Sequence, residues 1–248
     1  MITKESITIP YLNTHRALHI YIPTHINGPY DVLYMFDGHN LFNDTDATYG
    51  KSWGLASYFD QHNIPLMIVG VECNHYGNQR LCEFCPYDFS DEHWGNVKAS
   101  GREFAHWMAT DLIKHIESHY NVSHNPLNRC IGGSSMGGLM ALYMGVTYPN
   151  TYGKSICVSP YFDHIYNRVF DEIKSSNITN RQFYLSFGGL EVDDFSYMRD
   201  YVAKIALLQS ILTLKHNQVF VYSNANAKHC EANWEEETPI WLEYLAIH

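Results

Sequence analysis

Residues 15–22 alternate Ala17, His19 and Tyr21 against Leu18, Ile20 and Ile22, the period of a half-buried strand. Asp31–Phe36 and Leu66–Val71 are continuous apolar runs bounded by turn residues, as strands covered on both faces are. Between them, 53–63 is expected to be helical. From 101 to 120 the spacing of Phe104, Trp107, Met108, Leu112 and Ile116 marks an amphipathic helix. A short buried strand at 128–132 ends on glycines and leads into a helix at 136–148. There follow a strand at 154–159, a helix at 161–175, a strand at 182–187, a long helix at 195–215, a strand at 218–223 and a closing helix at 239–247 with proline at its start. Only 72–100 lacks a sustained period, and so long a loop is usually functional.

Strand and helix alternate from residue 31 onward. That order predicts an α/β fold with a mainly parallel central sheet, helices on both faces and antiparallel strands at the N-terminus. At 248 residues the chain is expected to form one domain, 1–248, with no repeat or linker. The formal charge of −10 disfavours a nucleic-acid partner, which requires a concentrated basic face. The first ten residues hold no apolar leader, and no later run approaches the ~20 apolar residues that span a bilayer. No membrane association is therefore expected, and the location is read as cytoplasmic. The six scattered cysteines, with Cys130 and Cys157 inside expected strands, agree with reduced thiols rather than a disulfide framework.

Chemistry concentrates around Gly133-Ser134-Ser135-Met136-Gly137, a G-x-S-x-G sequence between an expected strand and helix. Small neighbours let the two arms approach closely, and the central Ser135 would stand exposed at a helix N-terminus. A Gly/Ser turn capping a helix is the plainer reading. A serine nucleophile needs a base and an orienting acid. After strand 182–187 come Glu191, Asp193 and Asp194, the last two suited to capping the next helix, and after strand 218–223 comes His229. Backbone donors for an oxyanion are expected from the Met136 amide and from the Asp37-Gly38-His39-Asn40 turn, with His39 N–H preferred and Asn40 in reserve. Asp37 is read as a turn former, and Gly38 as the residue that permits the tight turn. Phe42, Trp94, Tyr161, Phe162 and Trp234 fall at carboxyl ends of strands, where α/β ligand sites form, so Trp94, Tyr161 and Trp234, with Asn40, are pocket candidates.

Tyr34 to Phe42, Arg80 to Pro86, Gly132 to Pro149, Val158-Ser159-Pro160 and His229 followed by Trp234 together resemble the enterochelin-esterase-like branch of the esterase D group of α/β-hydrolases. The likeness runs from about residue 18 to about residue 245. It implies Ser135 as nucleophile, His229 as base and Glu191, three residues past the first loop glycine, as acid. It further implies hydrolysis of a carboxylic ester through an acyl-enzyme, with a small or aromatic acyl group. Acyl transfer by the same residues, and a non-catalytic binding protein on a hydrolase fold, are the competing readings. No cofactor or metal is expected, the partner is a small-molecule ester, and a homo-oligomer is left open.

Three further signals have plain readings. Cys82-x-x-Cys85 lacks a second ligand pair. His115 and His119 form a polar stripe one helical turn apart. Arg80 and Glu83 are expected to pair with each other in the long loop, the alternative being an Arg80 that faces an acidic substrate.

Overall fold

The computed structural model describes residues 1–92 and 94–246. The chain begins with β1 (Ile2–Ile9) and β2 (Thr14–Tyr21), an antiparallel pair joined by a single tight turn at Pro10–Leu12. β2 then runs antiparallel to β4 (Leu66–Val71), which lies parallel to β3 (Asp31–Phe36). A small hairpin of β5 (Phe89–Asp91) and β6 (Gly95–Val97) stands apart. The sheet continues in parallel through β7 (Arg129–Ser134), β8 (Lys154–Val158), β9 (Gln182–Gly188) and β10 (Gln218–Asn224). Its order is β1-β2-β4-β3-β7-β8-β9-β10.

Alternation within the buried strands divides the core between two layers. Val32, Tyr34 and Phe36 of β3 join one apolar cluster, while Leu33 and Met35 join the other, as the two-residue period of a strand demands. The second cluster is closed by α1 (Leu55–His62), through Leu55 and Phe59. Across the sheet, α2 (Gln79–Glu83) precedes a longer helical rod of α3 (Gly101–Trp107), a wider π turn at Met108–Leu112, and α4 (Ile113–His119). α3 and α4 bury Phe104, Trp107 and Ile116 in the first cluster, joined there by α5 (Met136–Thr147), α6 (Tyr166–Ser175) and α7 (Phe195–Leu214). α8 (Glu231–Glu236) and α9 (Thr238–Tyr244) return to the second cluster with Trp234 and Trp241.

The expected strands and helices form, with two local differences. The helix expected from 161 starts at Tyr166, because Asp163–Ile165 make a separate tight turn. The 72–100 loop holds α2 and the β5–β6 hairpin, elements too short to impose a period. Residue 93 of that loop, and Ile247 at the expected end of the closing helix, lie outside the described residues. Among the described residues no helix is long and apolar enough to cross a membrane, and all six cysteines are free.

Because β3, β7, β8, β9 and β10 are parallel, their carboxyl ends share one edge of the sheet. The loops leaving that edge begin with Asp37, Ser135, Ser159, Gly189 and Ala225. In open α/β sheets this edge is where ligands bind.

Candidate functional site

Ser135 is the single residue between β7 and α5, and its backbone sits at φ 57°, ψ −121°. That conformation is costly for a residue with a side chain, on the order of 1–3 kcal/mol, and persists only where the surroundings enforce it. Enforcement is visible. The Ser135 amide donates to Val158 O at 3.0 Å, and its carbonyl accepts from the Leu139 and Tyr161 amides at 3.0 and 3.1 Å. A Cβ on Gly133 would come within 2.7 Å of the Gly137 carbonyl carbon, so only glycine lets the strand and helix arms meet this closely.

His229 Nδ1 lies 3.1 Å from Glu191 Oε2. The other carboxylate oxygen accepts from the Gly188 amide and from Ser159 Oγ, both at 2.6 Å. Ser159 Oγ in turn accepts from Trp234 Nε1 at 3.1 Å, and the Trp234 ring meets the His229 ring edge-on at 4.9 Å. Burial alone would push the Glu191 carboxyl up, but its hydrogen bonds from His229, Gly188 and Ser159 outweigh that and hold it below the ordinary glutamate value. Asp194 instead caps α7 by accepting from the Ser196 and Tyr197 amides, and Asp193 is exposed.

On the opposite side, the turn after β3 is shaped differently from expectation. Asp37, not Gly38, takes the left-handed conformation, at φ 57°, ψ 51°. Gly38 is needed for proximity: a Cβ there would lie 2.5 Å from Gly70 O of β4. The Asn40 amide donates to Asp37 O at 2.8 Å and the Leu41 amide to Gly38 O at 3.4 Å. Arg80 clamps both oxygens of the Asp37 carboxylate at 2.8 and 2.7 Å. Although burial opposes it, the Arg80 charge holds the Asp37 carboxyl below the usual aspartate value. The expected Arg80–Glu83 pair does not form. Glu83 is buried, pairs with Arg16 and accepts the Asn74 amide at 3.0 Å, because α2 turns Arg80 and Glu83 toward different partners.

The two sides enclose a cavity of about 560 Å³. Ser135, His229, His39, Asn40 and Trp234 line it, together with Tyr49, Cys73, His75, Arg80 and Glu231. Trp94 and Tyr161, expected in a pocket, are not part of this lining: Trp94 sits on the β5–β6 turn, and Tyr161 packs beside Met136 in a narrow crevice with Phe89 and Ile165. Phe42 and Phe162 are core residues. Arg80 reaches the cavity while its Nε and one terminal nitrogen stay committed to Asp37.

Four residues of the site had no assigned role in the sequence reading. Ser159 directly follows β8 at the sheet edge, the same kind of position that points to Glu191 and His229. Glu231 lies two residues past His229, where Asn40 Nδ2 donates to its Oε1 at 3.3 Å and burial pushes its carboxyl above the usual value. Cys73 and His75 follow β4, and no spacing in the sequence connects them to His39. The His115–His119 stripe is structural: His115 Nε2 meets Glu5 Oε2 at 3.1 Å and His119 Nδ1 meets the His115 carbonyl at 2.8 Å.

With eight strands in this order, and a strained serine and a carboxylate-bound histidine lining one cavity, the architecture is that of the α/β-hydrolase fold. The family described as "Putative esterase" matches residues 9–247, and the chain belongs to that family. Its relatives include the protein YbbA of Bacillus subtilis (strain 168), uncharacterised, 26% identical over 146 residues that cover 56% of this chain and 54% of YbbA. The match thus spans about half the length of that relative. Among solved structures, the BES protein from Bacillus cereus superposes with a TM-score of 0.76 at 18% identity, covering 98% of this chain and 94% of the other. The enterobactin esterase FES from Shigella flexneri, solved in the presence of enterobactin, gives 0.76 at 17% identity, covering 99% of this chain and 59% of FES.

Proposed function

We propose that this chain is a serine hydrolase of carboxylic esters. The observation that carries the reading is the Glu191–His229 hydrogen bond at 3.1 Å beside a cavity that also holds Ser135 in an enforced left-handed backbone. With Nδ1–H donated to Glu191, His229 Nε2 is the acceptor that takes the Ser135 proton as Oγ attacks the ester carbonyl. The Met136 and His39 amides receive the oxyanion, one from the start of α5 and one from the turn clamped by Arg80. The alcohol leaves with the proton from His229, and water activated by the same nitrogen releases the acid from the acyl-enzyme.

The substrate in this reading is a small-molecule ester with a small or aromatic acyl group. Tyr49 and Trp234 offer aromatic surface in the cavity, which supports an aromatic acyl group. Six free thiols support a cytoplasmic location. The test is hydrolysis of p-nitrophenyl acetate and butyrate, then of feruloyl and dihydroxybenzoyl esters, by wild type and Ser135→Ala. Wild-type turnover that falls by about 10⁴-fold or more in the variant is expected. Turnover that survives the substitution contradicts the assignment, and equal rates on acetyl and aromatic esters contradict the acyl preference.

A further inference from the structure

His39 arrives on the turn after β3, and Cys73 and His75 on the loop after β4. The two strands are parallel neighbours, so their following loops are brought side by side. One ligating atom from each of the three side chains lies within 4.8 Å of the other two. Cys73 Sγ and His75 Nδ1 are 3.9 Å apart, and the two imidazole rings meet edge-to-face at 4.6 Å.

How the remaining ring atoms are engaged separates this cluster from ordinary packing. Each ring uses Nε2 on an oxygen: His39 on Thr48 Oγ1 at 2.9 Å and His75 on Glu72 Oε1 at 3.1 Å. Metal-bound imidazoles are oriented in this way, with the far nitrogen held by an oxygen partner. His39 is only 6% exposed, yet its Nδ1 has no hydrogen-bond partner among the described residues. A buried polar atom left so costs about 1–3 kcal/mol, a cost that a bound ligand would relieve. By contrast, His115 and His119 have rings 4.3 Å apart but spend nitrogens on Glu5 and the His115 carbonyl.

We propose that His39, Cys73 and His75 bind one borderline-soft divalent transition-metal ion, of which zinc is the type, on the wall of the cavity. Two imidazoles and a thiol select such an ion over calcium or magnesium, which take oxygen ligands. Zinc bonds of about 2.0–2.3 Å place tetrahedral ligands about 3.3–3.6 Å apart, so the cluster closes by no more than about 1.5 Å on binding. His75, with 53% of its side chain exposed, is free to make that shift. Two imidazole lone pairs and the Cys73 sulfur form the bonds, and the thiol proton leaves to water. No oxidation or reduction is involved. All three residues line the cavity, so the remaining coordination position is open to a water or to a polar group of whatever small molecule enters. The inference is independent of the serine chemistry.

The test is equilibrium dialysis of metal-stripped full-length protein against Zn²⁺, with Co²⁺ as the spectroscopic probe, on wild type, Cys73→Ser, His75→Ala and the control His115→Ala. One saturable equivalent of zinc is expected in wild type and in His115→Ala, along with a sulfur-to-cobalt charge-transfer band. Affinity should fall about 100-fold or more in His75→Ala, since even partners outside the ligand shell are worth about 10–100-fold. Cys73→Ser should lose the band. His75 is exposed, so its variant reads binding apart from folding. Absence of saturable binding, or zinc affinity and a cobalt band unchanged in Cys73→Ser and His75→Ala, overturns the proposal and leaves a packing contact. Loss of binding in His115→Ala overturns it by moving the ion elsewhere.

Discussion

The two walls of the cavity obey different rules. On the β8–β10 side Glu191 accepts three hydrogen bonds, Ser159 is engaged by both Glu191 and Trp234, and His229 is fixed by Glu191 and by the edge of Trp234. On the β3–β4 side Arg80 satisfies Asp37, but His39 Nδ1 is buried without a hydrogen-bond partner among the described residues. A fully satisfied network holds one geometry, which proton transfer needs. A wall with an unsatisfied ligating atom holds capacity for something that arrives, which suits binding.

The comparison breaks most severely at Glu191. Glu191→Gln keeps the shape but donates where it must accept, reversing the tautomer of His229. We expect kcat/KM on p-nitrophenyl acetate to drop by about 10³–10⁴-fold, with the far-ultraviolet circular dichroism unchanged. On the other wall, Gly38→Ala sets a methyl group against Gly70 O and displaces the His39 amide. The expected loss in kcat is about 10²–10³-fold with little change in KM, and a rate near wild type would remove the turn from the oxyanion role. Ser159→Ala takes one donor from Glu191 and strands the Trp234 N–H, for a loss of about 10-fold. An equal loss from a substitution at Tyr49, on the cavity rim, would mean that the satisfied network confers no special rigidity.

The smallest effect concerns stability, at the back of the β9 wall. Burial pushes the Glu237 carboxyl up to about 7, with Tyr184 Oη donating to it at 3.0 Å. The folded protein therefore keeps a proton that the unfolded chain releases near the usual value of about 4.3. That contribution is complete below the unfolded value and is lost as pH rises through about 7. Glu237→Gln should match wild type in urea denaturation at low pH and exceed it by about 1–3 kcal/mol at pH near 8. Parallel curves at both pH values would contradict the buried, protonated carboxyl.

Strands β3, β4, β7, β8 and β9 were readable as short runs closed by turn residues and buried on both faces, whereas the edge strand β10, with no fully buried residue, was readable from its Val219 to Tyr222 run of β-formers. Ser135, Glu191 and His229 could be proposed from the sequence because each lies on a loop that follows a strand, Ser135 immediately and the other two three and five residues past the strand end, and the parallel order brings those ends together. The Arg80 partner was not, since Asp37 lies 43 residues away and only the α2 turn, five residues long, decides which carboxylate the guanidinium meets. Nor was the division of labour between Asp37 and Gly38, because the need for glycine comes from Gly70 on a different strand. Aromatic identity at a strand end did not separate Trp234, which lines the cavity, from Phe162, which is core. Side-chain direction, not residue type, makes that distinction.

The central claim is that Ser135 is a nucleophile activated by His229. Its most direct test is covalent capture: wild type, Ser135→Ala and His229→Ala are treated with a fluorophosphonate and analysed by intact-mass and peptide mass spectrometry. One adduct on Ser135 in wild type, none in Ser135→Ala and labelling slowed by orders of magnitude in His229→Ala is the predicted result. An adduct that persists in Ser135→Ala, or labelling of Ser135 at an unchanged rate without His229, would contradict it.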